Sequence, residues 1–290
     1  MHNLAKSVVR NLPICFIILI FFVVYTIYVE VHSRYNSYWY ILRLTFVCIP
    51  LFNGEGLRSS LRYTREALWN FVCFHLLALL LLWSFVMTCI TPPGFITDEW
   101  KVNPNSVYEC IERKKNGEFR YCKFEKCYKP DRAHYCRPLG RNVLKMDHYC
   151  PWVSNGIGFY NYKYFFLTLL YADLINLFMF SRIYKAFFTS YYDPNSRFNQ
   201  LFYLSLIGTL VVIISLIIVP FTLFHIVLIL VNKTTIEYCE WKGGSGTDYN
   251  LGVIHNLYSV FGSNAFLWFI PIGKPPGDGF HFQNRYIEDV

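Results

Sequence analysis

The chain has 290 residues, of which 54% are hydrophobic and only 16% are charged, whereas an average globular protein has about 25% charged residues. A water-soluble protein of this length could not bury so many apolar side chains, and the 20% content of aromatic residues excludes a disordered chain. The formal net charge is +8. Composition therefore predicts a membrane protein that contacts membrane lipid, and we expect no nucleic-acid partner.

Four apolar runs predict four transmembrane helices, because a spanning helix needs about 20 mostly apolar residues. The runs cover residues 12–29, 67–90, 164–188 and 201–231. We expect the first run to be an anchor, since the small-residue cleavage site of a signal peptide does not follow it. Paired prolines and a glycine end the second run. Three charged residues interrupt the third, and the fourth is so long that it must tilt, kink at Pro220 or project beyond the bilayer.

Two shorter apolar segments are predicted to lie at the membrane surface. Residues 38–52 contain Arg43 and Pro50, and a fifth span is the alternative for this segment. Residues 261–272 form a brief aromatic run that ends at Pro271 and Gly273. Both segments are shorter than a spanning helix requires.

The linker between the second and third spans carries most of the net positive charge. Residues 91–163 contain 13 basic and 8 acidic side chains, and an excess of Lys and Arg predicts that this linker faces the cytosol. With four spans both termini are then cytosolic, although five arginines between the first two spans oppose this orientation. The organelle stays open among endoplasmic reticulum, Golgi and plasma membrane.

The predicted fold class is an all-α membrane protein with four transmembrane helices and a small cytosolic cysteine-rich hairpin domain between spans two and three. Residues 1–90 hold the first two spans, and residues 91–163 form the cysteine-rich domain, where we expect the chemistry. Residues 164–231 hold spans three and four, and residues 232–290 form a cytosolic tail.

Asp147, His148 and Cys150 place an acid, a base and a nucleophile within four residues. On a helix His148 and Cys150 would point to different faces, whereas in an extended chain they share a face. Pro151 favours the extended conformation for the residue before it. We therefore predict a strand or hairpin in which His148 takes the thiol proton of Cys150 and Asp147 orients the imidazole. A structural or metal-binding pair is the alternative for such a Cys and His taken alone.

The run KMDHYCPWVSN, from Lys145 to Asn155, resembles the signature of the DHHC protein S-acyltransferases, and Gly158 and Asn161 extend the match. Other elements of that family are matched in the same order along the chain. They are Pro93 and Gly94 after span two, Lys129, Pro130, Asp131, Arg132, His134 and Cys136 before the signature, Thr234, Thr235 and Glu237 as T-T-x-E, and Asn256, Val260, Phe261 and Gly262 as N-x-x-x-V-F-G. Four spans with the cysteine-rich stretch in the middle is also the family layout.

The resemblance implies an enzyme, a protein-cysteine S-palmitoyltransferase. Cys150 would take a fatty acyl group from acyl-CoA, with palmitoyl-CoA as the expected donor, and pass it to cytosolic cysteines of membrane-associated substrate proteins. His148 and Asp147 would act with Cys150 as catalytic residues. Supporting residues by the same resemblance are Thr234, Thr235, Glu237 and Asn256, and Thr235 is expected to help position Asp147. The substrate proteins and the preferred chain length stay open.

The chain departs from the family pattern at Tyr149, where the usual motif has a second histidine, and this variant resembles some fungal members. It also departs at the zinc ligands. The family binds two zinc ions with eight ligands, of which this chain keeps only Cys122 and Cys136. The other six positions hold Glu125, Tyr135, Leu139, Asn142, Tyr149 and Gly156.

One four-ligand zinc site is the alternative, with candidate ligands Cys122, Cys127, His134 and Cys136. The sequence thus leaves a single zinc ion or none. Without zinc, Tyr135, Tyr149 and their apolar neighbours would hold the hairpins by packing.

Two other functions fit parts of the sequence. A catalytically inactive membrane adaptor of the same family would explain the lost zinc ligands, but an adaptor has no physical need for the acid, base and thiol. A transporter would use polar residues within a span, such as Asp173, Asn176 and Arg182. The chain lacks the repeated halves and paired broken helices of transporters.

Overall fold

The computed structural model describes residues 13–15, 54–103, 108, 110–240 and 249–284. The predicted first span at 12–29, apart from residues 13–15, lies outside the described residues. The apolar segment 38–52 lies outside them as well. The predicted spans two, three and four, and the whole signature around Cys150, are within the described chain.

The described chain is mostly helical. Its helices are α1 (Gly54–Ile90), α2 (Asp98–Val102), α3 (Tyr162–Tyr191), α4 (Phe198–Leu230), α5 (Thr235–Glu240) and α6 (Val253–Phe261). Short 3-10 helices lie at Pro151–Val153, before α3, and at Ala265–Leu267, after α6. The second lies within the segment predicted to be on the membrane surface.

Three helices of the described chain are long and apolar enough to cross a membrane, namely Leu68–Ile90 of α1, all of α3 and all of α4. The predicted helical spans at 67–90, 164–188 and 201–231 are confirmed to this extent. Helix α1 ends before Pro92 and Pro93, as expected of residues that cannot continue a helix. Helix α4 continues through Pro220. The described residues therefore supply three of the four predicted spans.

Three two-stranded antiparallel hairpins lie between α2 and α3. Strand β1 (Tyr121–Cys122) pairs with β2 (Cys127–Tyr128), β3 (His134–Cys136) with β4 (Arg141–Val143), and β5 (His148–Cys150) with β6 (Asn155–Ile157). The predicted helical protein with a small hairpin domain is thus present as a mostly helical chain with three small sheets.

The chain divides into two compact units, one that includes Leu81–Leu170 and Pro220–Val290, the other formed by Cys15–Leu80 and Tyr171–Val219. In the second unit Phe74 and Met179 are buried. Leu79, Leu216 and Ile217 of that unit are exposed, as expected of side chains that face lipid tails.

The first unit contains the three hairpins, and its buried residues lie on the hairpins and on the chain before, between and after them. One buried cluster consists of Ile96, Trp100, Cys110, Cys127, Ala133, Leu144 and Phe159. The chain leaving β6 passes very close to β4. A Cβ on Gly158 would lie 2.6 Å from Val143 Cγ1 and 2.8 Å from the Leu144 carbonyl oxygen, so this crossing requires glycine.

Candidate active site

Strand β5 holds His148 and Cys150 on one face, because alternate residues of a strand point the same way. Cys150 has φ −104° and ψ 108°, the extended conformation expected before Pro151. It pairs with Asn155 of β6, and His148 pairs with Ile157. The two side chains on β5 hydrogen-bond each other, while Cys150 is buried and His148 keeps 24% of its side chain exposed.

Asp147 completes the row from the other side of the imidazole. Its side chain is fully buried, and its Oδ2 lies 2.6 Å from Nδ1 of His148. Burial opposes the positive charge on His148, but the hydrogen bonds with Asp147 and Cys150 outweigh it and raise the pKa of His148 to about 9. The ring nitrogen Nε2 is then the one left for the thiol.

Thr235, at the start of α5, holds the Asp147 carboxylate. The Thr235 backbone N–H donates to Oδ1 at 2.8 Å, and its hydroxyl donates to Oδ2 at 2.9 Å. Burial would raise the pKa of Asp147, but the hydrogen bonds with His148 and Thr235 outweigh burial and lower it. The carboxylate is therefore charged and fixed by three donors, which is the arrangement that orients an imidazole.

The T-T-x-E sequence forms a capping box at the first turn of α5. The Glu237 N–H donates to the Thr234 hydroxyl at 3.2 Å, and the Thr234 N–H donates to the Glu237 carboxylate at 2.9 Å. That carboxylate also receives Nε and Nη2 of Arg132 at 2.6 and 2.8 Å. Arg132 is 1% exposed, so this buried ion pair fixes α5, and with it Thr235, against the chain that leads to β5.

Asn256 makes its side-chain contacts at the end of α4 and before the start of α6. It is fully buried, and its side-chain amide donates to the Leu230 carbonyl oxygen and to Asn250 Oδ1, each at 2.7 Å. Val260 and Phe261 of the same motif pack with Phe166 of α3. The structure thus places Asn256 where it joins α6 to the end of α4.

Asn155 connects the hairpin of β5 and β6 to the end of α1. Its amide nitrogen donates to the carbonyl oxygens of Thr88, Cys89 and Thr91 at 3.1, 3.2 and 2.9 Å. These are carbonyl groups without a helical partner at a helix C-terminus. Because Asn155 pairs with Cys150 across β5 and β6, this contact sets the depth of the thiol relative to α1.

Sequence reasoning missed one polar residue near the site, His225 of α4. Its ring centre lies 6.1 Å from that of His148 and 5.0 Å from that of Phe165. The only sequence signal was a lone imidazole within an apolar run. Its partners come from α3 and β5, which a pattern along α4 does not reveal.

The four candidate zinc ligands lie on two hairpins. Cys122 and Cys127 pair across β1 and β2, and His134 and Cys136 are on β3. Cys127 packs in the cluster around Trp100, whereas Cys136 packs with Val143 and Met146. Within the described chain, no three His, Cys, Asp or Glu side chains are arranged to hold a metal ion.

Two of the six replaced zinc positions bond each other, and a third packs against a neighbouring aromatic ring. Around Cys122, Glu125 accepts hydrogen bonds from the backbone and side-chain nitrogens of Asn142, and Tyr135 stacks on Phe124 with ring centres 4.5 Å apart. These contacts take up the Glu125 carboxylate and the amide nitrogen of Asn142. The residues at these positions do not fit a zinc ion.

Apolar packing surrounds the other three replaced zinc positions, Leu139, Tyr149 and Gly156. Leu139 and Tyr149 pack against the cluster that contains Cys136, and Gly156 is paired with Tyr149. A Cβ on Gly156 would lie 3.0 Å from Leu139 Cδ1. These positions therefore offer one thiol among apolar groups, and they do not fit the second zinc ion of the family.

The fold and site define a class of protein, a membrane protein that carries a hydrogen-bonded row of Cys, His and Asp on a small hairpin beside long apolar helices. The family model described as DHHC palmitoyltransferase matches residues 115–242. Probable protein S-acyltransferase 14 of Arabidopsis thaliana is 32% identical over 250 residues, which cover 80% of this chain and 81% of that protein. The chain belongs to the DHHC palmitoyltransferase family.

Two further relatives have the same kind of name. Palmitoyltransferase ZDHHC15 of Rattus norvegicus is 40% identical over 185 residues, covering 60% of this chain and 53% of that protein. Palmitoyltransferase ZDHHC20 of Homo sapiens is 32% identical over 249 residues, covering 74% of this chain and 66% of that protein. The chain thus spans about half the length of the ZDHHC15 relatives it matches.

Proposed function

We propose that this protein is a protein S-acyltransferase, which moves a fatty acyl group, palmitoyl in the first instance, from acyl-CoA to cysteines of substrate proteins. The observation that carries the proposal is the hydrogen-bonded row from Cys150 through His148 and Asp147 to Thr235. A row of nucleophile, base and orienting acid is the arrangement required for covalent acyl transfer. The names of the relatives support the same reaction.

In the first step, the raised pKa of His148, about 9, keeps the proton of the Cys150 thiol on the imidazole, and the Cys150 sulfur attacks the carbonyl carbon of the acyl-CoA thioester. A new carbon–sulfur bond forms to Cys150, and the bond to the sulfur of coenzyme A breaks. His148 returns the proton to the departing coenzyme A thiolate. Asp147 stabilises the imidazolium that exists between these two proton transfers.

In the second step, the thiol of a substrate cysteine gives its proton to His148 and attacks the acyl group on Cys150. The bond to Cys150 breaks, and its thiolate recovers the proton from the imidazolium. The two steps balance without an oxidant, a reductant or a metal-bound group. We propose membrane-associated proteins with cytosolic cysteines as the substrates.

A membrane site suits a fatty acyl donor. Burial of one methylene group is worth about 0.8 kcal/mol, so a palmitoyl chain in apolar surroundings gains on the order of 10 kcal/mol. Phe165 packs edge-on against His148, which provides an apolar wall at the site. The 13 basic side chains of residues 91–163 support a cytosolic catalytic domain and cytosolic termini.

We assign the supporting residues by their contacts. Thr235 holds the Asp147 carboxylate, and the Thr234 and Glu237 capping box places Thr235. Asn256 acts through the packing of α6 on α4. We therefore expect variants of Thr235 to change the acylation rate and variants of Asn256 to change mainly stability.

The proposal is tested by labelling the purified protein in detergent with a clickable palmitoyl-CoA analogue. The wild type should carry a label that hydroxylamine removes, and Cys150→Ser should carry none. Cys239→Ser is the matched control, because Cys239 is an exposed cysteine on α5 and its loss should leave the label unchanged. A label that persists in Cys150→Ser, or a wild type without label, would contradict the proposal, and the second result would favour the inactive adaptor.

A further inference from the structure

His225 presents an unpaired polar atom in a buried position. The residue is 0% exposed, and within the described chain its Nε2 has no hydrogen-bond partner. Its Nδ1 lies 3.0 Å from the Tyr162 hydroxyl. A buried polar group without a partner is destabilising by about 1–3 kcal/mol, so such groups call for an explanation.

The Tyr162 hydroxyl decides which nitrogen of His225 carries the proton. If the phenol O–H donates to Nδ1, then Nε2 carries the ring hydrogen and is a free donor. If Nδ1–H donated instead, the phenol hydrogen and the Nε2 lone pair would both be unpaired within the described chain. The first arrangement leaves one unpaired group instead of two, and we therefore assign the ring hydrogen to Nε2.

This donor lies beside the catalytic row. The ring centres of His225 and His148 are 6.1 Å apart, and Phe165 packs 5.0 Å from each of them. Phe221 covers another side of His225, with ring centres 4.6 Å apart. His148, which hydrogen-bonds Cys150, thus lies between the reacting sulfur and the His225 ring, and Phe165 and Phe221 are apolar neighbours on two sides of His225.

The reaction needs a donor of this kind. When the Cys150 sulfur attacks the thioester, the electron pair of the carbonyl moves to its oxygen, and a preorganised N–H that meets this oxygen stabilises the transition state. The Asp147 and His148 side chains are already committed to the thiol proton. The named row therefore lacks an oxyanion donor.

We infer that His225 donates its Nε2–H to the carbonyl oxygen of the acyl thioester as the tetrahedral intermediate forms and collapses. His225 keeps its proton throughout, and the oxygen regains its double bond when the bond to coenzyme A or to Cys150 breaks. Tyr162 is the positioning residue that fixes the ring. This inference rests on the proposed function, because it adds a catalytic residue to the same acyl transfer.

The test compares single-turnover acylation rates of the wild type, His225→Phe and His225→Gln with palmitoyl-CoA in detergent. Loss of one oxyanion donor lowers kcat by about 10²–10³-fold. The His225→Phe variant fills the same space without a donor, so its acylation rate should fall by that factor while KM changes little. His225→Gln offers an amide N–H near the same position, so it should acylate at least about tenfold faster than His225→Phe. Thr209→Val is the matched control, because Thr209 is exposed on the same helix and its hydroxyl donates to the Ser205 carbonyl oxygen of its own helix.

Size-exclusion elution and melting temperature establish that each variant is folded. If His225→Phe does not fold, the Tyr162→Phe variant carries the test. It removes the hydrogen bond to Nδ1 and should slow acylation while KM stays near the wild-type value.

The inference is overturned if His225→Phe acylates as fast as the wild type, or if His225→Phe and His225→Gln are equally slow. It is also overturned, where Tyr162→Phe is the test, by a wild-type rate in that variant. In each case the wild type still forms the label on Cys150, so the proposed function stands. A wild type that forms no label overturns the proposed function itself.

Discussion

The ion pair between Arg132 and Glu237 offers a sharp test of how the site is held together. Arg132 donates to both carboxylate oxygens of Glu237, and its Nη2 also donates to the Asn232 carbonyl oxygen at 2.8 Å. The Arg132 side chain is 0% exposed and that of Glu237 is 16% exposed. The Arg132→Met variant removes the cation, keeps a long apolar side chain and leaves the carboxylate without its partner.

The expected loss follows from this burial. Breaking a buried pair by removing one partner is destabilising by about 3–5 kcal/mol, and because Glu237 keeps some contact with water we expect the lower end, about 3 kcal/mol. For a protein of this size, about 2–4 °C of melting temperature correspond to each kcal/mol. The melting temperature in detergent should therefore fall by about 6–12 °C.

The controls separate the buried pair from a general loss of charge. Lys114→Ala breaks a pair whose side chains are 46% and 63% exposed, and its melting temperature should stay near that of the wild type. The double variant Arg132→Met with Glu237→Gln leaves no unpaired charge and should regain part of the loss. A melting temperature of Arg132→Met equal to that of Lys114→Ala would refute the reasoning, as would a double variant less stable than Arg132→Met.

Three further predictions concern the hairpin domain. Gly158→Ala should lower the yield and melting temperature, because its Cβ would meet two carbonyl oxygens at 2.8 and 3.0 Å. Gly208→Ala, whose Cβ would make an ordinary contact at 3.4 Å, should be tolerated, and equal behaviour of the two variants would contradict this prediction. A strong chelator should leave the melting temperature unchanged, because the residues at the replaced ligand positions do not fit zinc. Asn142→Ala should lower the melting temperature, because Glu125 loses a hydrogen-bond donor. A melting temperature that falls when the chelator is added would contradict this account. Burial opposes the charge on His148, but its two side-chain partners raise its pKa from 6.5 to about 9. A raised folded-state pKa means that its stabilising contribution is complete below pH 6.5 and is lost as pH rises through about 9. The melting temperature difference between the wild type and His148→Phe should therefore shrink over that range, and a difference that grows with pH would be incompatible.

The features that could be predicted from the sequence depend on near neighbours in the chain. Apolar runs located α3, α4 and the apolar part of α1, and the Pro-Pro-Gly sequence located the end of α1. The extended conformation at Cys150 followed from the residue after it, Pro151, and from the need to bring His148 to the thiol. Each of these inferences requires only a few consecutive residues.

The contacts that hold the site could not be predicted in this way, because they join distant parts of the chain. Arg132 and Glu237 are 105 positions apart, and His225 and Tyr162 are 63 positions apart. The contact of Thr235 with Asp147, 88 positions apart, was expected only from the family resemblance. Nothing in the apolar sequence of α4 distinguishes His225 from a polar residue that merely interrupts a span.

The replaced zinc positions show the same limit. The sequence reveals which ligands are missing, but it does not reveal that Glu125 and Asn142 bond each other. The packing of Leu139 and Tyr149 depends on the register of β5 and β6, in which Tyr149 faces Gly156. Register follows from the folded hairpin and not from residue types alone.

The central claim is that an acyl group is carried on the sulfur of Cys150, and peptide mapping by mass spectrometry after a brief exposure to palmitoyl-CoA tests it most directly. The peptide that contains Cys150 should gain a thioester-linked acyl group, which a thiol acceptor then removes in step with its own acylation. Acylation confined to another cysteine, or transfer to the acceptor at an unchanged rate by Cys150→Ser, would contradict the claim.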